Sequence, residues 1–123
     1  MPAVRRATSA LAIAAAAITT AGCGRVAHVG QNRTLNLALS EYRINPRAST
    51  VSAGVLTLVV RNYGRLTHNL VIAENGHQEG ATSSIAPGGE ATLVVVLNPG
   101  RYTLSSSILQ DADLGARATL TVT

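Results

Sequence analysis

The sequence is nearly without aromatic side chains: among 123 residues there are three tyrosines, Tyr42, Tyr63 and Tyr102, and no tryptophan or phenylalanine. Any core must therefore be built from Val, Leu, Ile and Ala, and there are no platforms on which nucleic-acid bases could stack. Lysine is also missing. All ten basic residues are arginines, which reads as a coding bias of the source genome, and the net charge of +4 is far below the density of a nucleic-acid binder. One cysteine, Cys23, and one methionine, Met1, are present. Cys-His zinc spacings, phosphate-binding glycine loops and carboxylate pairs at catalytic spacing are all absent.

Residues 1–22 read as a targeting segment, to be set aside before the fold is considered. Arg5 and Arg6 form its positive start, Ala10 to Ile18 its apolar stretch, and Thr20-Ala21-Gly22-Cys23 its end. The apolar stretch is too short for a permanent membrane span. Ala21-Gly22 before Cys23 resembles the lipobox of bacterial lipoproteins, in which the cysteine is lipidated and becomes the new N-terminus; Thr20 stands where that motif usually has Leu. The alternative is an ordinary secretory signal cut nearby, leaving Cys23 a free thiol. The paired arginines lack the flanking residues of a twin-arginine signal, which points to general secretion. The sequence thus predicts a lipid-anchored protein on the extracytoplasmic face of a bacterial cell membrane. Two arginines leave with the signal, so eight remain against six acids and the mature chain is close to neutral. Residues 23–33, polar and aperiodic, read as a tether carrying a solvated His28, and residues 34–123 as one domain.

From Thr34 the chain alternates. Leu35, Leu37 and Leu39 mark a first strand that continues loosely through Tyr42 to Ile44 before Asn45-Pro46 breaks it. Ser49 to Ser52 is a short extended piece and Ala53-Gly54 a turn. Val55 to Ile72 reads as two strands joined by Asn62-Tyr63-Gly64-Arg65, with Leu56, Leu58 and Val60 on one face and His68, Leu70 and Ile72 on another. Glu74 to Glu79 reads as a polar loop around Asn75-Gly76, and Pro87-Gly88-Gly89 as another turn. Ala91 to Leu97, with three consecutive valines, is expected to be covered on both faces. Asn98-Pro99-Gly100, a strand over Tyr102 to Ser106, a loop over Leu109 to Gly115 and a last strand over Thr119 to Thr123 complete the chain. About seven short strands between Gly, Pro and Asn turns predict an all-β, antiparallel Greek-key sandwich.

The succession from Glu41 to Val122 resembles a cupredoxin, the small Greek-key sandwich of plastocyanin and its bacterial relatives. The matching features are Asn62 with Gly64, His68-Asn69-Leu70-Val71-Ile72, Pro87-Gly88 with Glu90 before a hydrophobic strand, Pro99-Gly100 before Tyr102, Gly115, and Leu120-Thr121-Val122. In the copper-binding members a cysteine, a histidine and a methionine come after the tyrosine; those positions fall on Ser106, Asp111 and Ala116 here. Only the first ligand, His68, is retained. A blue-copper site needs a thiolate with two imidazoles, and the only cysteine belongs to the signal segment.

The resemblance implies that His68, Ser106 and Asp111 converge, and it leaves three readings open. In the first, the domain is a membrane-anchored cupredoxin-like binding or interaction module for an unknown protein or ligand, with no cofactor and with His68 hydrogen-bonded to a backbone carbonyl, Ser106 or Asp111. In the second, His68 and Asp111, joined by Asp113 or His77, hold Cu(II) or Zn(II) in a site that is not blue copper. The third takes Ser106, His68 and Asp111 as nucleophile, base and orienting acid, against which no glycine-rich turn surrounds Ser106 and no oxyanion hole is suggested. The first reading, a protein that is not an enzyme, fits most of the residues.

Overall fold

The computed structural model describes residues 25–123. The signal segment 1–22 and Cys23 lie outside the described residues. Within them the alternation produces ten strands and no helix: β1 (Val26–His28), β2 (Thr34–Ser40), β3 (Arg43–Asn45), β4 (Ala48–Val51), β5 (Gly54–Asn62), β6 (Val71–Glu74), β7 (His77–Ala81), β8 (Glu90–Leu97), β9 (Gly100–Ser105) and β10 (Arg117–Val122). They form two sheets, one ordered β1-β4-β10-β9-β6-β7 and the other β3-β2-β5-β8.

Period-two patterning decides which side chains meet between the sheets. Leu35, Leu37 and Leu39 of β2 and Leu56, Leu58 and Val60 of β5 face Ile72 of β6, Leu104 of β9 and Leu120 of β10, and all are buried. Each such aliphatic side chain contributes about 1.5–3 kcal/mol by leaving water. No larger ring is needed to fill the gap, in keeping with the aliphatic composition. The one buried aromatic residue of this core, Tyr102, satisfies its hydroxyl by donating to the Asn98 carbonyl oxygen at 2.8 Å. Burial, reinforced by the nearby Glu74 carboxylate, pushes its phenol above the ordinary value.

The sandwich is as expected, but several local expectations are corrected. The strands around Asn62-Tyr63-Gly64-Arg65 do not pair as a hairpin, because β5 and β6 belong to different sheets. The Asn62 side chain is fully buried; its amide donates to the carbonyl oxygens of Leu66 (2.8 Å) and Ile85 (2.9 Å), and its oxygen accepts from Gly64 N–H (2.8 Å), so the chain is bent across the sandwich. His68 instead forms an isolated bridge with Ile85. The sheets are also not wholly antiparallel: β2 pairs with β5, β4 with β10 and β1 with β4 in parallel. Between β2 and β5 the chain visits the other sheet through β4, and such a crossover returns it in the same direction.

Inside the segment expected to be a tether, β1 adds an edge strand to β4, with Val26 opposite Ala48 and His28 opposite Thr50. Asn75 and Gly76, both at positive φ (48° and 79°), do make the expected turn. Immediately after that turn the chain forms β7 where a loop was expected; the sequence His-Gln-Glu-Gly-Ala shows no apolar alternation because β7 is an edge strand, mostly exposed. The valine run of β8 is covered on one face only. As the terminal strand of its sheet it buries Val95 and Leu97 but leaves Val94 61% and Val96 71% exposed.

One end of the sandwich, the crown, gathers three loops. The turn at Glu41-Tyr42 between β2 and β3, the crossing from Tyr63 to Leu70, and the loop from Ser106 to Ala116 between β9 and β10 all lie there, because Ser40, Asn62, Ser105 and Arg117 end or begin their strands at that end. The turns at Asn75-Gly76 and Asn98-Pro99 lie at the opposite end.

Candidate functional site

Three crown loops bring together three buried polar side chains, His68, Ser106 and Asp111, and a half-buried fourth, Glu41. His68 arrives in the crossing between sheets, where its backbone N–H donates to Ile85 O (3.1 Å) and its carbonyl accepts from Ile85 N–H (2.7 Å), fixing the Cα direction. Ser106 directly succeeds β9, with its N–H donating to Ala116 O at 3.3 Å. Asp111 sits in the tight loop beyond it, held by N–H donation to Ile108 O (3.1 Å) and by acceptance at its carbonyl from Ala116 N–H (2.9 Å). Its carboxylate is thereby turned inward. His68 and Ser106 are each 1% exposed and Asp111 5%.

The carboxylate oxygen Asp111 Oδ2 is the hub. It lies 2.7 Å from His68 Nδ1 and 2.7 Å from Ser106 Oγ, both hydrogen-bond distances. The Ser106 hydroxyl, with one proton to give, has Asn69 Oδ1 at 3.2 Å as a longer alternative acceptor. Asn69 ties the same loop down: its Oδ1 accepts from Ser107 N–H at 2.7 Å and its Nδ2 donates to Ser107 Oγ at 2.8 Å. Asn69 thus holds Ser106 and Ser107 against the crossing that carries His68.

On the other side of the ring, His68 Nε2 lies 3.3 Å from Glu41 Oε1. The same Glu41 oxygen accepts from Arg65 N–H (2.6 Å) and Leu66 N–H (2.8 Å). Donation from the Leu66 amide, then the Arg65 amide, holds the Glu41 carboxyl below its ordinary value against the opposing effect of partial burial. Both ring nitrogens of His68 therefore face carboxylate oxygens. Gly64 is required beside this arrangement: a Cβ there would stand 2.5 Å from Glu41 Oε1. Glu41 carries no local signal of its role in the sequence. It is a single acid in a two-residue turn, and only the folding of β3 back onto β2 brings it to His68.

The geometry limits the chemistry. Asp111 lies between Ser106 and His68, whereas a nucleophilic triad needs the histidine between serine and acid. The Ser106 proton is directed to a carboxylate, the hydroxyl is buried, and His68 does not hydrogen-bond to it. Nor do the residues fit a blue-copper ion. Cysteine does not occur among the described residues, and His68 Nδ1, Asp111 Oδ2 and Ser106 Oγ are hydrogen-bonded directly to one another. Among the described residues no group of three or more His, Cys, Asp or Glu side chains is placed to hold a metal. Ala116, at the third altered position, is buried and supplies only backbone groups to Ser106 and Asp111. His77 begins β7 beside the turn at the far end of the sandwich, away from His68. Asp113 points outward, 80% exposed, and pairs with Arg117 at 3.7 Å.

Around this buried cluster the crown is apolar. Tyr42, Leu66, Leu109, Gln110 and Leu114 surround a shallow depression with Asp111 at its floor. Leu109 is 93% exposed, Leu114 53% and Leu66 51%.

No protein-family model matches the chain, and no curated protein does. Solved structures do. A dithionite-reduced auracyanin from the photosynthetic bacterium Roseiflexus castenholzii is 21% identical, with 76% of this chain and 99% of that one covered at a TM-score of 0.68. Auracyanin A, a "blue" copper protein from Chloroflexus aurantiacus, is 14% identical, covering 78% and 99% at a TM-score of 0.65. A purple cupredoxin from Nitrosopumilus maritimus is 16% identical, covering 72% and 98% at a TM-score of 0.57. The fold is the one these proteins share.

Proposed function

We propose that this chain, a cupredoxin fold, is a membrane-anchored extracytoplasmic binding or interaction module in which a hydrogen-bonded polar cluster occupies the place where relatives of this fold carry copper. The observation behind the reading is the position of Asp111 Oδ2, 2.7 Å from both His68 Nδ1 and Ser106 Oγ. A metal joins its donors by coordination at about 2 Å and leaves them apart from one another; here they are joined directly. The cluster performs the mechanical part of such a centre, connecting the β5–β6 crossing to the β9–β10 loop, without its redox chemistry. No catalytic step is derived from it, and copper is not expected as a blue centre. Attachment through Cys23 rests on the lipobox-like sequence alone.

The alternative is a Cu(II) or Zn(II) site that is not blue copper, using His68 and Asp111. One observation favours it, namely that the two donors are in contact; an ion would have to replace the hydrogen bond between them. Calorimetric titration of the chain with Cu(II) and Zn(II), in parallel with His68→Ala, separates the readings. We expect no stoichiometric binding by either protein. Binding at one equivalent that is lost in His68→Ala would establish the alternative instead.

A further inference from the structure

We infer that the crown is the surface that faces the membrane, with Leu66, Leu109 and Leu114 resting in the interfacial layer of the bilayer. This orientation rests on the proposed lipid attachment at Cys23 and specifies how the domain stands on it. Strand β1 makes the attachment directional. Without it, the eleven residues from 23 to 33 would let the domain hang in any orientation. With it, Val26 is fixed opposite Ala48, and β4 in turn places Ala48 opposite Thr119 of β10. Cys23 lies three residues before Val26, a covalent reach of about 10 Å even fully extended. A lipid on Cys23 therefore holds this point of the domain close to the bilayer.

Strand direction decides which end of the sandwich is held there. Strands β1, β4 and β10 run parallel to one another, and β10 leaves the crown loop at Arg117. Strand β1 is thus entered from the crown end, not from the end with the turns at Asn75-Gly76 and Asn98-Pro99. The crown is also suited to the contact. Leu66, Leu109 and Leu114, with Tyr42, form an exposed apolar group around one depression. Two exposed arginines outside any ion pair among the described residues lie at the same end, Arg65 next to Leu66 and Arg25 at the entry to β1. The acids of the crown are engaged: Glu41 by two amides and His68, Asp111 in the buried cluster, and Asp113 by Arg117. Apolar side chains within a basic surround are the composition that binds an anionic lipid interface, with long arginine stems lying along it.

The natural sequence contains no tryptophan, so a single introduced one reports its own depth. The full chain, processed by its bacterial host, would be reconstituted into vesicles of phosphatidylcholine and phosphatidylglycerol as Leu109→Trp and, separately, Val94→Trp. Val94 offers an equally apolar, 61% exposed control away from the crown, on the terminal strand of the other sheet. We expect both proteins to sediment with the vesicles, and only Leu109→Trp to shift its emission to shorter wavelength and lose intensity to lipids brominated near the headgroup. Equal, water-like emission from both sites in sedimenting protein would overturn the inference and leave the crown free for a protein partner. Quenching of Val94→Trp alone would place the valine face of β8 on the bilayer and also overturn it. Failure to sediment would overturn the lipid attachment itself, and the inference with it.

Discussion

Removing the Asp111 carboxylate should be among the most damaging single changes the domain can suffer. In Asp111→Ala, the His68 imidazole and the Ser106 hydroxyl, each 1% exposed, lose the oxygen that pairs them. A buried hydrogen-bonding group left unpaired costs about 1–3 kcal/mol, and two such groups are left here. We expect a loss near 4 kcal/mol, which for a domain of this size lowers Tm by roughly 20 °C. The assay is urea unfolding monitored by circular dichroism; an unchanged m would show that the unfolding reaction is the same. The test lies in the cycle with His68→Leu. If the two side chains are partners, the double variant should cost about 2 kcal/mol less than the sum of the singles, since neither is then left buried without the other. Additivity within about 0.5 kcal/mol, or a single-variant loss under about 1 kcal/mol, would refute the view of this cluster as the bond between the crown loops.

Further expectations concern the periphery of that cluster and the sheet beyond it. The Glu41 carboxyl is held below its ordinary value in the folded state, so its contribution to stability is complete above about pH 4.5 and is lost as the pH falls through the lower folded value. The urea midpoint should decline with acid in that window, and Glu41→Gln should decline less steeply; parallel curves would count against the assignment. Ser49 is buried in β4 with a hydroxyl that has no partner, so Ser49→Ala should be neutral or stabilising by up to about 1 kcal/mol in thermal unfolding, and a clear loss would reveal a partner for the hydroxyl. Gly115 has φ 120°, and a Cβ there would stand 3.0 Å from the Tyr42 carbonyl oxygen. Gly115→Ala should therefore cost about 1–3 kcal/mol, and an unchanged Tm would show that the loop can relax.

Much of this architecture can be read from the residues. The alternation of Leu35, Leu37 and Leu39, of Leu56, Leu58 and Val60, and of His68, Leu70 and Ile72 identifies inward faces correctly, because burial between two sheets imposes a period of two. What alternation does not encode is the sheet to which a strand belongs. Asn62, which looks like a turn residue, is a buried bracket that sends the chain across the sandwich, so an apparent hairpin becomes a crossing. The edge strands β1 and β7 leave no mark in the sequence for a related reason: with little to bury, they need no apolar pattern, and backbone pairing alone holds them. The convergence of His68, Ser106 and Asp111 is implied by family resemblance, not by any local motif. Glu41 is not implied at all, since its role depends on a contact between loops 27 residues apart in sequence.

The parallel pairing of β4 with β10 also constrains how the domain is made. Ser49 lies opposite Leu120, so the middle of the six-stranded sheet closes only when the last residues of the chain return to its first half. Contacts so distant along the chain are slow to form, because loop entropy must be spent before they are rewarded. Strands β1 and β4 therefore stay unsupported on one side until β10 is available to pair. Closure of this sheet is thus a late event, gated by the arrival of β10 rather than by the local strands β1 and β4.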